Sequence, residues 1–194
     1  MLNEYINSDK SEFIAVYGRR RVGKTFLIRK AVKDEFAFFM TGMNGVAKSE
    51  QLVNFSIALQ KYTHSATLQA FKSWILAFHA LSQYIETLPK GKKVIFIDEL
   101  PWMDTAKSGF IPALENFWNS WAVLRSDIKL IVCGSATSWM INNLIRNRGG
   151  LHNRLTHHLI VKPFSLHECE EYFKTYHFGY SRKQIAECYM VMGG

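Results

Sequence analysis

Phe13-Ile14-Ala15-Val16-Tyr17 runs directly into Gly18-Arg19-Arg20-Arg21-Val22-Gly23-Lys24-Thr25, which matches the pattern Gly-x4-Gly-Lys-Ser/Thr without a mismatch. A random chain of this composition would contain such a match with a chance of roughly 0.7%. The apolar run reads as a strand and the residues from Lys24 onward carry helical spacing, so the loop lies between strand and helix, the setting in which it grips phosphate. Glycine lets the backbone curl so that successive N–H groups converge on one anion, which a Cβ would hinder. The helix N-terminus adds roughly half a positive charge. Lys24 is expected on the β- and γ-phosphates, Thr25 on Mg²⁺, and the loop from Gly18 to Phe26, with Val22 and Gly23, around a nucleotide. Arg19, Arg20 and Arg21 fill the free positions, as a solvated basic face, a nuclear-signal lookalike or phosphate contacts.

A second apolar run, Val94-Ile95-Phe96-Ile97, ends in Asp98-Glu99. Ligands of open α/β folds bind at the carboxyl edge of the sheet, where such a pair would lie. Asp98 is expected in the Mg²⁺ shell, and Glu99 is expected to orient and deprotonate a water facing the γ-phosphate. Leu130-Ile131-Val132-Cys133 leads in the same way to Gly134-Ser135. If that strand lies between the other two, Ser135 or Thr137 can bond the attacking water or the γ-phosphate; an ordinary helix N-cap explains them equally well.

Further apolar runs at Phe36–Met40 and Leu159–Val161 bring the strand count to five. All five are short and continuous instead of alternating, as strands buried on both faces of a parallel sheet are. Helical spacing over Lys24–Lys33, Ser49–Tyr62, Leu68–Leu88, Phe110–Ala122 and Ser138–Leu144 supplies the covering layers, giving an α/β sheet with right-handed crossovers. Beyond Pro163 the pattern changes. Ser165 with Glu168 and Ser181 with Gln184 have capping-box spacing, so two helices follow with no strand between them.

Composition narrows the class without deciding it. The chain has 194 residues, 48% of them apolar, enough for a packed core. No window approaches the roughly 18 apolar residues of a membrane span, and the opening lacks the apolar stretch of a signal peptide. Cys133, Cys169 and Cys188 are odd in number and form no metal-binding spacing, so reduced thiols and a cytoplasmic location are expected. The net charge of +8 favours phosphate-bearing partners. No acid occurs between Asp127 and Glu168, a stretch that carries Lys129, Arg146, Arg148, Arg154 and Lys162 and is expected to form a basic surface open to nucleic acid.

Taken together, Gly18 to Thr25, Asp98-Glu99-Leu100-Pro101, Gly134-Ser135, and Leu151-His152-Asn153-Arg154 ahead of Val161-Lys162-Pro163-Phe164-Ser165 resemble the archaeal and bacterial AAA-type ATPase family related to the STAND signalling ATPases. The resemblance spans nearly the whole chain. It implies a P-loop NTPase three-layer sandwich whose five-stranded parallel sheet has the order 5-1-4-3-2, over residues 1–163. It implies the beginning of a helical lid over 164–194, often followed in that family by a C-terminal winged-helix or nuclease-like domain. It also implies binding and hydrolysis of ATP to ADP with Mg²⁺, and an arginine at Arg154 that touches the γ-phosphate from the same chain or from a neighbouring subunit. Similar proteins start with an Arg-Glu-rich segment and carry a lid past a Gly-Gly-x-Pro element, so a fragment of a longer protein is expected.

A GTPase would carry Asn/Thr-Lys-x-Asp and a transporter ATPase an LSGGQ-like signature, and neither occurs. Ser135-Ala136-Thr137 spells a triplet found in helicases, but Asp98-Glu99-Leu100-Pro101 is not their usual box. Two other output classes stay open: a nucleotide-gated switch or adaptor in which hydrolysis only resets the state, and a DNA-binding ATPase using residues 129–162.

Overall fold

In the computed structural model, which describes residues 1–146, 151 and 153–192, five strands form one parallel sheet. They are β1 (Glu12–Tyr17), β2 (Phe38–Thr41), β3 (Lys93–Asp98), β4 (Ile128–Gly134) and β5 (His157–Ile160). Their order in space is β2-β3-β4-β1-β5, the order that the resemblance implies. β4 lies between β1 and β3, pairing Ile14 with Ile131 on one side and Ile95 with Leu130 on the other. This satisfies the condition under which Ser135 joins the strand ends on either side of it.

The pleat divides the core by alternation along each strand. Phe13 and Ala15 of β1, Ile95 and Ile97 of β3, and Leu130 and Val132 of β4 pack with α3 (Lys48–Thr63), α4 (Trp74–Thr87) and α5 (Phe110–Ser120). Ile14 and Val16, Val94 and Phe96, and Ile131 and Cys133 belong to the opposite face. There they meet Leu2 and Ile6 of α1 (Leu2–Ile6) and Ile28 and Val32 of α2 (Lys24–Val32). Every residue of β1, β3 and β4 is buried, which is why Phe13–Tyr17, Val94–Ile97 and Leu130–Cys133 within them read as unbroken apolar runs; Glu12, Lys93, Asp98 and Lys129 are buried as well.

β5 departs from that expectation. It pairs only with β1 at the sheet edge, and its residues alternate between half-buried and exposed. An edge strand lacks a second neighbour, so burial on both faces is not needed there.

Two helical segments differ in form from the expectation, and a third, α1, is absent from it. α4 starts at Trp74 and not at Leu68, because Ser73 is extended and its Oγ accepts the Leu76 N–H, an N-cap. α6 (Thr137–Met140) passes into a π-turn over Ile141–Ile145, closed by the Arg146 N–H to the Ile141 carbonyl at 2.7 Å. The short α1 has too few residues to show a period, although Leu2 and Ile6, four apart, are the pair it buries. After β5, α7 (Leu166–Thr175) and α8 (Arg182–Met192) both start at the expected capping boxes: Glu168 accepts the Ser165 N–H at 2.7 Å and Gln184 the Ser181 N–H at 2.9 Å. Among the described residues no helix is long and apolar enough to cross a membrane.

Candidate active site at the carboxyl edge of the sheet

β1, β3 and β4 end side by side, and the segments that follow them meet. The loop after β1 is shaped by two glycines with different duties. A Cβ on Gly18 would lie 2.1 Å from the Val161 carbonyl oxygen, because the chain beyond β5 still runs beside it. Gly23 faces open space but has φ +84° as the residue that caps α2, a conformation few side chains tolerate. Arg21 also lies in the left-handed region at φ 65°, so the loop curls as a nest of amides requires.

Lys24 opens α2 and is only 6% exposed. Its Nζ donates to the carbonyls of Gly18 at 3.0 Å and Arg19 at 2.8 Å. None of the ion pairs among the described residues involves it. A buried ammonium against neutral carbonyls lacks countercharge, which an arriving anion can supply.

Thr25 Oγ1 donates to Asp98 Oδ2 at 2.8 Å, so the loop is joined to the acidic end of β3. The other oxygen of Asp98 accepts the Glu99 N–H at 2.9 Å. On the neighbouring strand, burial, followed by the adjacent Asp98 carboxylate, pushes the Cys133 thiol far up, so Cys133 stays a neutral filler. The Thr25 hydroxyl and the Asp98 carboxylate are hard oxygen donors. They suit Mg²⁺, which takes one or two protein oxygens and completes its shell with phosphate and water.

Glu99 stands in the left-handed region at φ 48°, a conformation that costs a non-glycine residue about 1 to 3 kcal/mol and must be held by its surroundings. Its Oε2 accepts both the Ser135 amide at 3.2 Å and the Ser135 hydroxyl at 2.9 Å. Ser135 is therefore not a helix cap; Ala136 occupies that position before α6, without a side-chain bond. Thr137, with Arg19, Arg20 and Ser135, lines an open cleft beside the loop.

Other expected residues lie elsewhere. Phe26 is 73% exposed on the first turn of α2. Arg154 precedes β5, whose first residue pairs with Ile14 near the start of β1, so it sits at the amino edge of the sheet, away from the loop. Arg148, His152 and the terminal glycines Gly193 and Gly194 are outside the described residues. The basic surface over 129–162 is not continuous. Lys129 is 1% exposed and its Nζ donates to Ser8 O at 2.8 Å, Ser8 Oγ at 2.9 Å and the Lys10 carbonyl. Lys162 follows β5 at the carboxyl edge, opposite to Arg154. A stretch without acids is a property of the sequence; strand direction sends its cations to different ends of the sheet.

Two supporting residues escaped the sequence reading. Gln51 is fully buried, and its side chain bonds the Met43 N–H at 3.1 Å, the Met43 carbonyl at 2.6 Å and the Trp102 carbonyl at 2.9 Å. It ties the loop after β2 to the turn after Glu99. Its signal is a polar residue on the buried helical stripe that continues at Phe55 and Leu59. Trp102, in the short 3₁₀ turn Leu100–Trp102, carries the Arg20 guanidinium over its ring at 5.6 Å from the centroid.

A family described as an ATPase domain predominantly from Archaea matches residues 1–194, and the chain belongs to that family. An uncharacterized protein of Methanocaldococcus jannaschii is 27% identical over 172 residues, covering 89% of this chain and 36% of its own length. The Walker-type ATPase of Pyrococcus abyssi superposes with a TM-score of 0.63 at 19% identity, over 97% of this chain and 60% of its own. The ORC2 protein of Aeropyrum pernix, solved as ADPNP–ADP complexes, gives 0.57 at 16% identity, over 89% of this chain and 47% of its own. These likenesses establish the P-loop NTPase fold. The chain spans about a third of the length of the curated relative and less than two thirds of either structure.

Proposed function

We propose that this ATPase-family domain binds ATP with Mg²⁺ at the Gly18–Thr25 loop and hydrolyses it to ADP and phosphate. The observation that carries the reading is the 2.8 Å bond between Thr25 and Asp98, which joins the phosphate loop to the acidic strand end. Loop amides and Lys24, released from its two carbonyls, bind the β- and γ-phosphates. Thr25 and Asp98 hold Mg²⁺, which when bound neutralises phosphate charge. Glu99 orients a water for in-line attack on the γ-phosphorus. The new P–O bond forms as the bond to the β–γ bridging oxygen breaks, ADP leaves with that electron pair, and the water's proton passes to Glu99. Ser135, bonded to Glu99, senses the γ-phosphate. Residues 1–163 form the ATPase core and 164–194 begin a helical lid. Three free thiols suit a reducing cytoplasm.

Two measurements test this. Lys24→Ala should abolish ATP binding or reduce it severely; unchanged affinity would defeat the assignment. Glu99→Gln should leave binding intact and remove steady turnover.

A second reading, a nucleotide-gated switch akin to the STAND ATPases, is favoured by one observation: Glu99 is already engaged by two bonds from Ser135. Tight ATP binding in the intact protein without turnover would support it. A homo-oligomer, a C-terminal effector and nucleic acid contacted through the exposed Arg146, Arg154 and Lys162 are partners compatible with either reading.

A further inference from the structure

We propose that Arg20 supplies a cation in cis to the γ-phosphate of bound ATP, parked on Trp102 until nucleotide arrives. The inference rests on the ATPase reading above and extends it to a residue that the strand-loop-helix pattern leaves free.

Arg20 is an exposed residue near the start of the phosphate loop, two places after Gly18. Its guanidinium carbon lies 5.6 Å from the Trp102 ring centroid. Trp102 is no loose surface ring. Its backbone N–H donates to the Glu99 carbonyl at 3.0 Å, and its backbone carbonyl accepts from the buried Gln51 at 2.9 Å, so the residue that carries the ring is fixed in the turn that follows Glu99. Arg20 also lines the open cleft with Ser135, whose hydroxyl is 2.9 Å from Glu99 Oε2. Arg20 and Ser135, one member of the pair proposed to face the attacked phosphorus, therefore border the same cleft. None of the ion pairs among the described residues involves Arg20.

Chemistry explains why an arginine suits this perch. A guanidinium stacked on an aromatic face keeps its in-plane N–H donors directed outward, and stacking restricts an otherwise free side chain. Two such donors match two oxygens of one phosphate, a geometry that lysine lacks. Negative charge on the transferring group and the leaving oxygen is redistributed in the transition state, so a cation near Glu99 acts most strongly there.

The test compares wild type with Arg20→Ala, Arg20→Lys and Trp102→Leu, measuring kcat and KM for ATP and the Kd values of ADP and of ADP–aluminium fluoride with Mg²⁺. Arg20→Ala is expected to lower kcat by at least about 10-fold, towards the ~10³ to 10⁵ that an arginine in this role can contribute. Affinity for ADP–aluminium fluoride should fall by a similar factor, while that for ADP changes by less than about threefold. Arg20→Lys should recover part of the loss, and Trp102→Leu should lower kcat with ADP binding retained. Unchanged kcat in Arg20→Ala, or equal losses for ADP and its fluoride complex, would overturn the inference, as would a defect confined to duplex DNA binding. If wild type itself shows no Lys24-dependent ATP binding, the underlying ATPase reading fails; if wild type turns over and Arg20→Ala matches it, only the present inference fails.

Discussion

Ser135 Oγ lies 2.9 Å from Glu99 Oε2, and the Ser135 amide 3.2 Å from the same oxygen, so the residues that follow two neighbouring parallel strands share one carboxylate. Glu99 needs such a hold, because its left-handed backbone alone does not fix where its side chain points. Ser135→Ala removes the shorter bond and leaves the amide. Turnover is expected to fall by about 10-fold, the size of one hydrogen bond to a charged group, with the KM for ATP within about threefold. A rise in kcat would mean that Ser135 restrains Glu99, which is the behaviour of the switch reading.

Gly18→Ala should be a folding defect before it is a binding defect. The added Cβ would meet the Val161 carbonyl oxygen at 2.1 Å, while the Val161 N–H already donates to the Tyr17 carbonyl at 2.8 Å. Main chain cannot yield as a flexible side chain does, so the exit of β5 would have to separate from β1. The expected loss is about 3 kcal/mol, within the upper range for overpacking. Gly23→Ala meets no neighbour and bears only the cost of its φ, about 1 kcal/mol. Chemical denaturation of the two variants should rank them in that order, and equal midpoints would contradict the packing argument.

Acid stability should depend on Asp127. The hydrogen bonds of Arg125, at 2.8 and 2.7 Å, hold its carboxyl at about 2, with the buried Lys93 assisting at 3.3 Å. A folded value below the ordinary 3.8 means that the stabilisation is present above that pH and is lost as pH falls towards 2. Asp127→Asn is expected to lower unfolding free energy at pH 7 by about 1 to 2 kcal/mol and to converge with wild type near pH 2. A difference independent of pH would assign the effect to packing instead of charge.

The parts legible in sequence were those written locally. β1, β3 and β4 are buried at every position and so appear as apolar runs, while the loop and the Asp98–Glu99 pair have fixed spacing next to them. What escaped depends on contacts far apart in the chain. Lys129 reads in sequence as a surface cation, whereas Ser8 and Lys10, more than a hundred residues away, close over it in the fold. Gln51 resembles an ordinary helix residue until the turn at Trp102 comes within reach. The exposed face of β5 was hidden because edge and centre are properties of the sheet, not of a four-residue string.

Arg154 offers a test of assembly that follows from strand direction. The Thr156 N–H donates to the Phe13 carbonyl at 2.9 Å, so the turn carrying Arg154 lies beside the start of β1, whereas the phosphate loop leaves its other end. Six residues of strand at about 3.3 Å each place the two on the order of 20 Å apart, beyond the reach of one side chain. An arginine there can serve only the loop of another copy. If it does, turnover per protomer should rise with protein concentration, and Arg154→Ala should abolish that rise while ATP binding persists. Mixing Arg154→Ala, which keeps its loop, with Lys24→Ala, which keeps its arginine, should then recover activity that neither variant shows alone. A mixture no more active than its components, with wild-type turnover independent of concentration, would leave Arg154 as a surface residue and the site as one completed within a single chain.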